Sequence, residues 1–170
     1  VESLPISVDD PWILQEFVTG QEYCTHSTVR DGHMQVYCCC ESSACQVNYA
    51  HVEHAEIRRW VEHFVSSHRL TGQVSFDFIE RGDGQVYAIE CNPRTHSAIT
   101  MFHDHPGVAR AYLDDGCAVI TPRPDARATY WIYHEAWRLL SQSGGRRSRL
   151  ATILSGKDAI FTWWDPLPYL

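Results

Sequence analysis

Asp77, Glu90, Asn92 and Arg94 are side chains of the kinds that hold a divalent cation and a phosphoryl group. All four fall within one stretch, VSFDFIERGDGQVYAIECNPRTHSAITM, residues 74–101. Carboxylate and amide oxygens suit hard cations such as Mg²⁺ or Mn²⁺, and Mg²⁺ usually takes one or two carboxylates beside water and substrate phosphates. Arg94 adds a fork of donors for a phosphoryl group or a carboxylate. His96 brings an imidazole that titrates near neutrality and could carry a proton. The competing reading makes Asp77 and Glu90 solvated charges on the open face of an alternating sheet. It makes His96, His103 and His105 loop packing.

The elements that must position these groups follow from the flanking residues. Two runs rich in aromatic and branched side chains, residues 74–80 and 85–91, enclose Arg81-Gly82-Asp83-Gly84, so a β-hairpin is expected. With a four-residue loop Glu80 faces Gln85, Asp77 faces Ala88 and Ser75 faces Glu90. Strand parity then directs Phe76, Phe78, Tyr87 and Ile89 to one side, and Ser75, Asp77, Ala88, Glu90 and Asn92 to the other. Asp77 and Glu90 become diagonal neighbours, roughly 7–8 Å apart at Cα and within reach of a shared cation. A slip of one residue would separate them.

Taken together, the Asp77, Glu90-x-Asn92 and Asn92-Pro93-Arg94 elements resemble the metal-binding end of an ATP-grasp carboxylate–amine ligase. Upstream, WILQEFVTGQEY at residues 12–23 is similar to the strand and hinge on which that family seats adenine. Read without the resemblance, the same segment is a buried strand of Ile13, Leu14, Phe17 and Val18 closed by a Thr19-Gly20 turn. The resemblance spans about residues 12–102. It implies that Gln15, Glu16, Phe17 and Val18 meet the adenine edge through backbone groups, and that Glu22 accepts hydrogen bonds from the ribose hydroxyls. It also implies that Asp77, Glu90 and Asn92 hold Mg²⁺ (or Mn²⁺) between the phosphates of ATP, with Arg94 near the transferred group.

The activity so implied is C–N bond formation: ATP phosphorylates an acceptor oxygen and an amine displaces the phosphate. More narrowly, ECNPRTHSAITM and the aromatic tail resemble the mycosporine-glycine synthase branch, which joins glycine to the cyclohexenone 4-deoxygadusol. Two other functions stay open at this point: a ligase acting on an ordinary carboxylate, and a non-catalytic ATP-binding module.

Composition and ends set the remaining expectations. A chain of 170 residues can bury one substantial core. Residues 1–121 are expected to form the C-terminal part of an ATP-grasp domain and 122–170 an extension packed on it. With no glycine-rich phosphate loop, and Lys157 as the single lysine, the chain reads as the later part of a longer protein, inactive alone. A net charge of −7 disfavours a nucleic-acid-binding surface. No apolar run is long enough to span a membrane. The expected partners are therefore a small-molecule acceptor and an amino acid, with a homo-oligomer compatible.

Seven cysteines without a disulfide-like spacing, and no secretory signal, point to a reducing cytoplasm. A zinc site from Cys38, Cys39, Cys40, Cys45, His51 and His54 is disfavoured, because consecutive strand cysteines alternate faces. The expected fold is α/β of the α+β kind: an antiparallel sheet packed by helices. Its elements are a hairpin of residues 21–30 and 33–40 turning at Asp31-Gly32, an amphipathic helix over 54–69 and the hairpin above. A short helix over 106–114, strands at 117–121 and 129–133, a helix to about 141, a polar loop over 141–149 and a docked aromatic tail complete the expectation.

Overall fold

A computed structural model describes residues 7–42, 48–116, 118–141 and 144–169. Strands β1 (Gln21–Arg30) and β2 (His33–Ser42) form the expected hairpin. Asp31 and Gly32 both take positive φ, 45° and 80°, the two-residue turn whose twist matches the strands it joins. A Cβ on Gly32 would lie 3.1 Å from the Ser66 Cα, so glycine serves both backbone and packing there.

After the short strand β3 (Asn48–Tyr49), helix α1 (Ala55–Ser67) begins at His54, whose ring nitrogen caps the Ile57 N–H at 3.3 Å. Strands β4 (Gly72–Glu80) and β5 (Val86–Asn92) follow, giving an antiparallel sheet in the order β2-β1-β4-β5. The α/β character and the antiparallel sheet packed by helices are as the sequence implied.

Both faces of this sheet are covered. On one, Tyr37, Cys39, Val74, Phe76 and Phe78 pack against Ile57, Val61 and Val65 of α1, with Trp60 and Phe64 edge-on to Phe76. Each such large apolar side chain contributes about 1.5–3 kcal/mol by leaving water. On the other, Cys24, Val36, Cys38 and Cys40 lie under Ala98, Met101 and Phe102 of a 3₁₀ helix (Ser97–Phe102) and Ala111 of α2 (Val108–Leu113). The predicted helices at 54–69 and 106–114 therefore exist, slightly shortened.

The C-terminal third departs more from expectation. Cys117 lies outside the described residues, and Ile120 makes only an isolated parallel bridge to Val36, so no strand runs along 118–121. Strand β6 stops at Thr129–Tyr130, because the Asp158 carboxylate accepts the Ile132 N–H at 2.8 Å and starts helix α3 (Ile132–Ser141) there. The polar loop over 141–149 is also shorter than expected. Left-handed Gly145 turns the chain into α4 (Arg146–Ser155), which carries Arg146, Arg147 and Arg149 in its first turn.

Strand β7 (Lys157–Asp158) completes a small sheet in the order β3-β6-β7. The tail docks through Tyr169 stacked on Tyr133 at 5.2 Å, but Trp163 and Trp164 remain 86% and 84% exposed.

Residues 11–19, leading into β1, form no strand, and Ile13, Leu14 and Phe17 are 85–93% exposed. The buried-strand reading of this segment is thereby overturned. Both edges of β1 are occupied by β2 and β4, and no core receives these side chains. Among the described residues no helix is long and apolar enough to cross a membrane.

Candidate functional site

The hairpin carrying the acidic pair differs from its expected register in two places, and the two differences compensate. Its loop is five residues long, closed by Arg81 N–H to the Gln85 carbonyl at 2.9 Å, so Glu80 pairs with Val86 instead of Gln85. Continued without interruption, that pairing would set Asp77 against Ile89 and turn Glu90 to the wrong face. A bulge between Phe78↔Ala88 and Asp77↔Glu90 absorbs Ile89 and restores the phase.

The result is tighter than the predicted diagonal. Asp77 stands directly opposite Glu90, and Ser75 opposite Asn92. Ala88 moves to the Phe78 side, and Tyr87 pairs with Ile79, reversing the faces expected for both.

Around the acidic pair a short polar chain forms. Asn92 Nδ2 donates to Asp77 Oδ2 at 3.3 Å, and Arg94 Nη2 donates to Asn92 Oδ1 at 3.4 Å. The Arg94 N–H also donates to the Asn92 carbonyl at 2.8 Å, a tight turn that returns the guanidinium over the strand end. Asp77 and Glu90 open into a cleft of about 300 Å³ that Glu22 and Ser42 also line. Glu22, Asp77, Glu90, Asn92 and Arg94 are thus brought to one end of one sheet face.

The remaining predicted contacts are not. Gln15, Glu16 and Phe17 are exposed and Val18 half-buried in the unpaired segment, and none of them lines the cleft. The Glu16 carboxylate instead lies 3.9 Å from Arg81, at the hairpin loop.

Electrostatics sharpen the picture. Burial, then the negative charge of Cys24 and of Glu90, pushes the Asp77 carboxyl up to about 6. Two acids facing each other in a partly dry cleft favour either a shared proton or a cation. That donor set, two carboxylates and an amide, fits a Mg²⁺ or Mn²⁺ ion completed by phosphate and water oxygens. Among the described residues no group of three or more His, Cys, Asp and Glu gathers into a metal cluster. Of the residues weighed for zinc, His51 bonds Glu53 and the Cys39 carbonyl, and His54 caps α1. Cys45 falls outside the described residues.

His96 lies close to the Cys24 thiol and to Asp77. Its Nδ1 accepts the Ala98 N–H at 3.1 Å, which assigns the ring proton of the neutral form to Nε2. Its own N–H donates to Nδ1 of buried His26 at 3.4 Å, and its ring meets Tyr49 edge-on at 5.4 Å. Burial works against its charged form. The Cys24 thiol and the Asp77 carboxylate outweigh burial, so the imidazole is held above its ordinary value. His26, by contrast, is pushed down to about 4 by burial and by the neighbouring His96 charge.

Sequence reasoning missed Cys24, Cys40 and His26. Cys24 pairs with Asp77 across β1 and β4, and its thiol lies 3.2 Å from that of Cys40. The Cys40 hydrogen bond, aided by His96, holds Cys24 below the ordinary thiol value. The available signal was alternation: Glu22, Cys24 and His26 share one face of β1. Only the β1–β4 register, which no local pattern reveals, shows that this face is the one bearing Asp77.

No protein-family model matches the chain, and no curated protein matches it. Among solved structures it is similar to an N5-carboxyaminoimidazole synthetase from Staphylococcus aureus complexed with ADP. That likeness has 17% identity over 49% of this chain and 25% of that one, with a TM-score of 0.41. It is also similar to an ADP complex of purK, N5-carboxyaminoimidazole ribonucleotide synthetase, at 14% identity over 56% and 27% of the two chains, with a TM-score of 0.37. The match therefore spans about a quarter of either relative's length.

Proposed function

We propose that this chain carries the magnesium-nucleotide end of an ATP-grasp ligase, one that forms a C–N bond by phosphorylating an acceptor oxygen and displacing the phosphate with an amine. The observation that carries the reading is the direct opposition of Asp77 and Glu90, with Asn92 bonded to Asp77 and Arg94 bonded to Asn92. These residues also form the D, ExN and NPR elements on which the family resemblance rests.

Asp77, Glu90 and Asn92 would hold the ion, which when bound neutralises charge on the phosphate oxygens. The chain's own groups do the rest. Glu22, across the cleft, accepts from the ribose hydroxyls. Arg94 stabilises charge building on the transferred phosphoryl oxygens, where a fixed cation costs no reorganisation. His96, with its proton on Nε2, bonds the Cys24 thiol and sets positive charge beside Asp77. Exposed Gln15, Glu16 and Phe17, with half-buried Val18, would meet adenine once nucleotide is bound.

The finer reading is that the acceptor is the cyclohexenone 4-deoxygadusol and the amine glycine. It rests on the resemblance of ECNPRTHSAITM and the aromatic tail. Phosphorylation turns the enolic oxygen into a leaving group, and a bound amine attacks by proximity. The test is to incubate the intact protein with ATP, Mg²⁺, glycine and either 4-deoxygadusol or a panel of carboxylates, following ADP and coupled product by mass spectrometry. Product from 4-deoxygadusol supports both levels. ADP formed only with a carboxylate retains the ligase and removes the cyclohexenone. ATP bound but never cleaved removes the ligase in favour of a nucleotide-sensing module.

A further inference from the structure

Cys24 and Cys40 stand directly opposite each other on β1 and β2, with their sulfurs 3.2 Å apart. Neither belongs to the ligand set. Both side chains are buried, and across its other edge Cys24 pairs with Asp77. Among the described residues no other thiol competes for Cys24: Cys38 points its sulfur at the Ala98 carbonyl, 3.8 Å away, and Cys39 packs on the α1 face. Directly opposed residues of antiparallel strands have Cα atoms about 4.5 or 5.5 Å apart. Both values fall inside the roughly 4.4–6.8 Å range of disulfides. Closing the bond therefore needs side-chain rotation and no displacement of the strands.

The geometry points to Cys24 and Cys40 as a reversible dithiol–disulfide pair beneath the cleft, oxidised by a small hydroperoxide. The Cys24 thiol sulfur attacks one peroxide oxygen, giving up its proton as the O–O bond breaks. The leaving oxygen takes up a proton, and Cys24 becomes a sulfenic acid. The Cys40 sulfur then attacks the Cys24 sulfur. The S–S bond forms, the S–O bond breaks, and water departs with the Cys40 proton. For hydrogen peroxide the balance is two thiols and one peroxide giving one disulfide and two waters, the two electrons passing from sulfur to oxygen.

Asp77, the cross-strand partner of buried Cys24, lines the cleft, so a small peroxide reaches the thiol by local opening of that wall. Oxidation removes the thiol that Cys24 presents to His96 and Ser42. The group under Asp77 thereby becomes an apolar bridge, and Mg²⁺–ATP binding in the cleft weakens. This last consequence rests on the nucleotide-binding reading above.

The experiment treats the reduced intact protein with hydrogen peroxide and then digests it with trypsin. Cleavage after Arg30 places the two cysteines on separate peptides. The expected product is a Cys24–Cys40 linked pair, two hydrogen masses below the sum of the free peptides and released by dithiothreitol. It is absent from both Cys24→Ser and Cys40→Ala, so that one poorly folding variant does not decide the result. Mg²⁺–ATP affinity of the oxidised protein falls at least several-fold and recovers on reduction. Oxidation confined to exposed Cys91, or a link that excludes Cys24, overturns the pair. A linked protein that binds Mg²⁺–ATP as the reduced one does overturns the switch. If the reduced protein binds no Mg²⁺–ATP, the nucleotide reading fails, while the linked peptide still decides whether the pair exists.

Discussion

The four-stranded sheet and the C-terminal third of this chain are built on opposite plans. The sheet has strands of seven to ten residues and buries both faces, one under α1 and the other under the 3₁₀ helix and α2. The C-terminal third hangs two helices and a tail on strands of two residues. Four of its large apolar side chains, Leu140, Leu154, Trp163 and Trp164, are more than 80% exposed. The difference teaches where precision is needed. Opposing two carboxylates requires a register fixed by a packed core: Asp77 sits on β4, whose Val74, Phe76 and Phe78 pack into that core, and Glu90 on its partner strand β5.

The comparison breaks most visibly at Phe76, one residue from Asp77 and 1% exposed against Trp60 and Phe64. Phe76→Ala should cost about 3–5 kcal/mol in denaturant unfolding. A loss below about 1 kcal/mol would mean that the core does not hold the sheet as described.

Next comes acid. His26 has its folded value near 4 against an ordinary 6.5. Its buried neutral form therefore contributes stability that is complete above about pH 6.5 and is lost as pH falls through 4, up to about 3 kcal/mol. Asp77 runs the other way. Its raised value means that the protein gains stability as this group protonates: the contribution is complete below the ordinary 3.8 and is lost as pH rises through about 6. Unfolding followed from pH 7 to 4 should show His26→Gln losing less stability on acidification than the parent. Asp77→Asn should be more stable than the parent at pH 7, with the gap closing below pH 4. Parallel pH curves for all three proteins would contradict both assignments.

The smallest effect belongs to the other region. Leu154→Ala on α4, at 81% exposure, should change stability by no more than about 0.5 kcal/mol. A loss of several kcal/mol would show that this surface is covered in solution.

Much of the sheet was legible because local chemistry dictates it. Asp31-Gly32 can supply two positive φ values in succession, and Ile57, Trp60, Val61, Phe64 and Val65 repeat at helical spacing. The shared face of Asp77, Glu90 and Asn92 was also correct, though reached through a loop counted one residue short and a bulge not foreseen. Alternation alone cannot reveal a bulge at Ile89, since one extra residue leaves no compositional mark. Cys24 and His26 were invisible for a different reason. Their place beside Asp77 depends on pairing between strands some fifty residues apart. The C-terminal elements misjudged, at 118–121 and 131–133, are set by tertiary bonds such as Asp158 to Ile132.

The most direct test of the central claim is calorimetric titration of the intact protein with ATP, with and without Mg²⁺, comparing the parent with Glu90→Gln. Glu90 is exposed, so the substitution leaves the core untouched. The account predicts nucleotide binding that depends on Mg²⁺ in the parent and is weakened about 10–100-fold in the variant, the usual cost of disturbing a metal site. Binding that is indifferent to Mg²⁺, or equal in the two proteins, would contradict it.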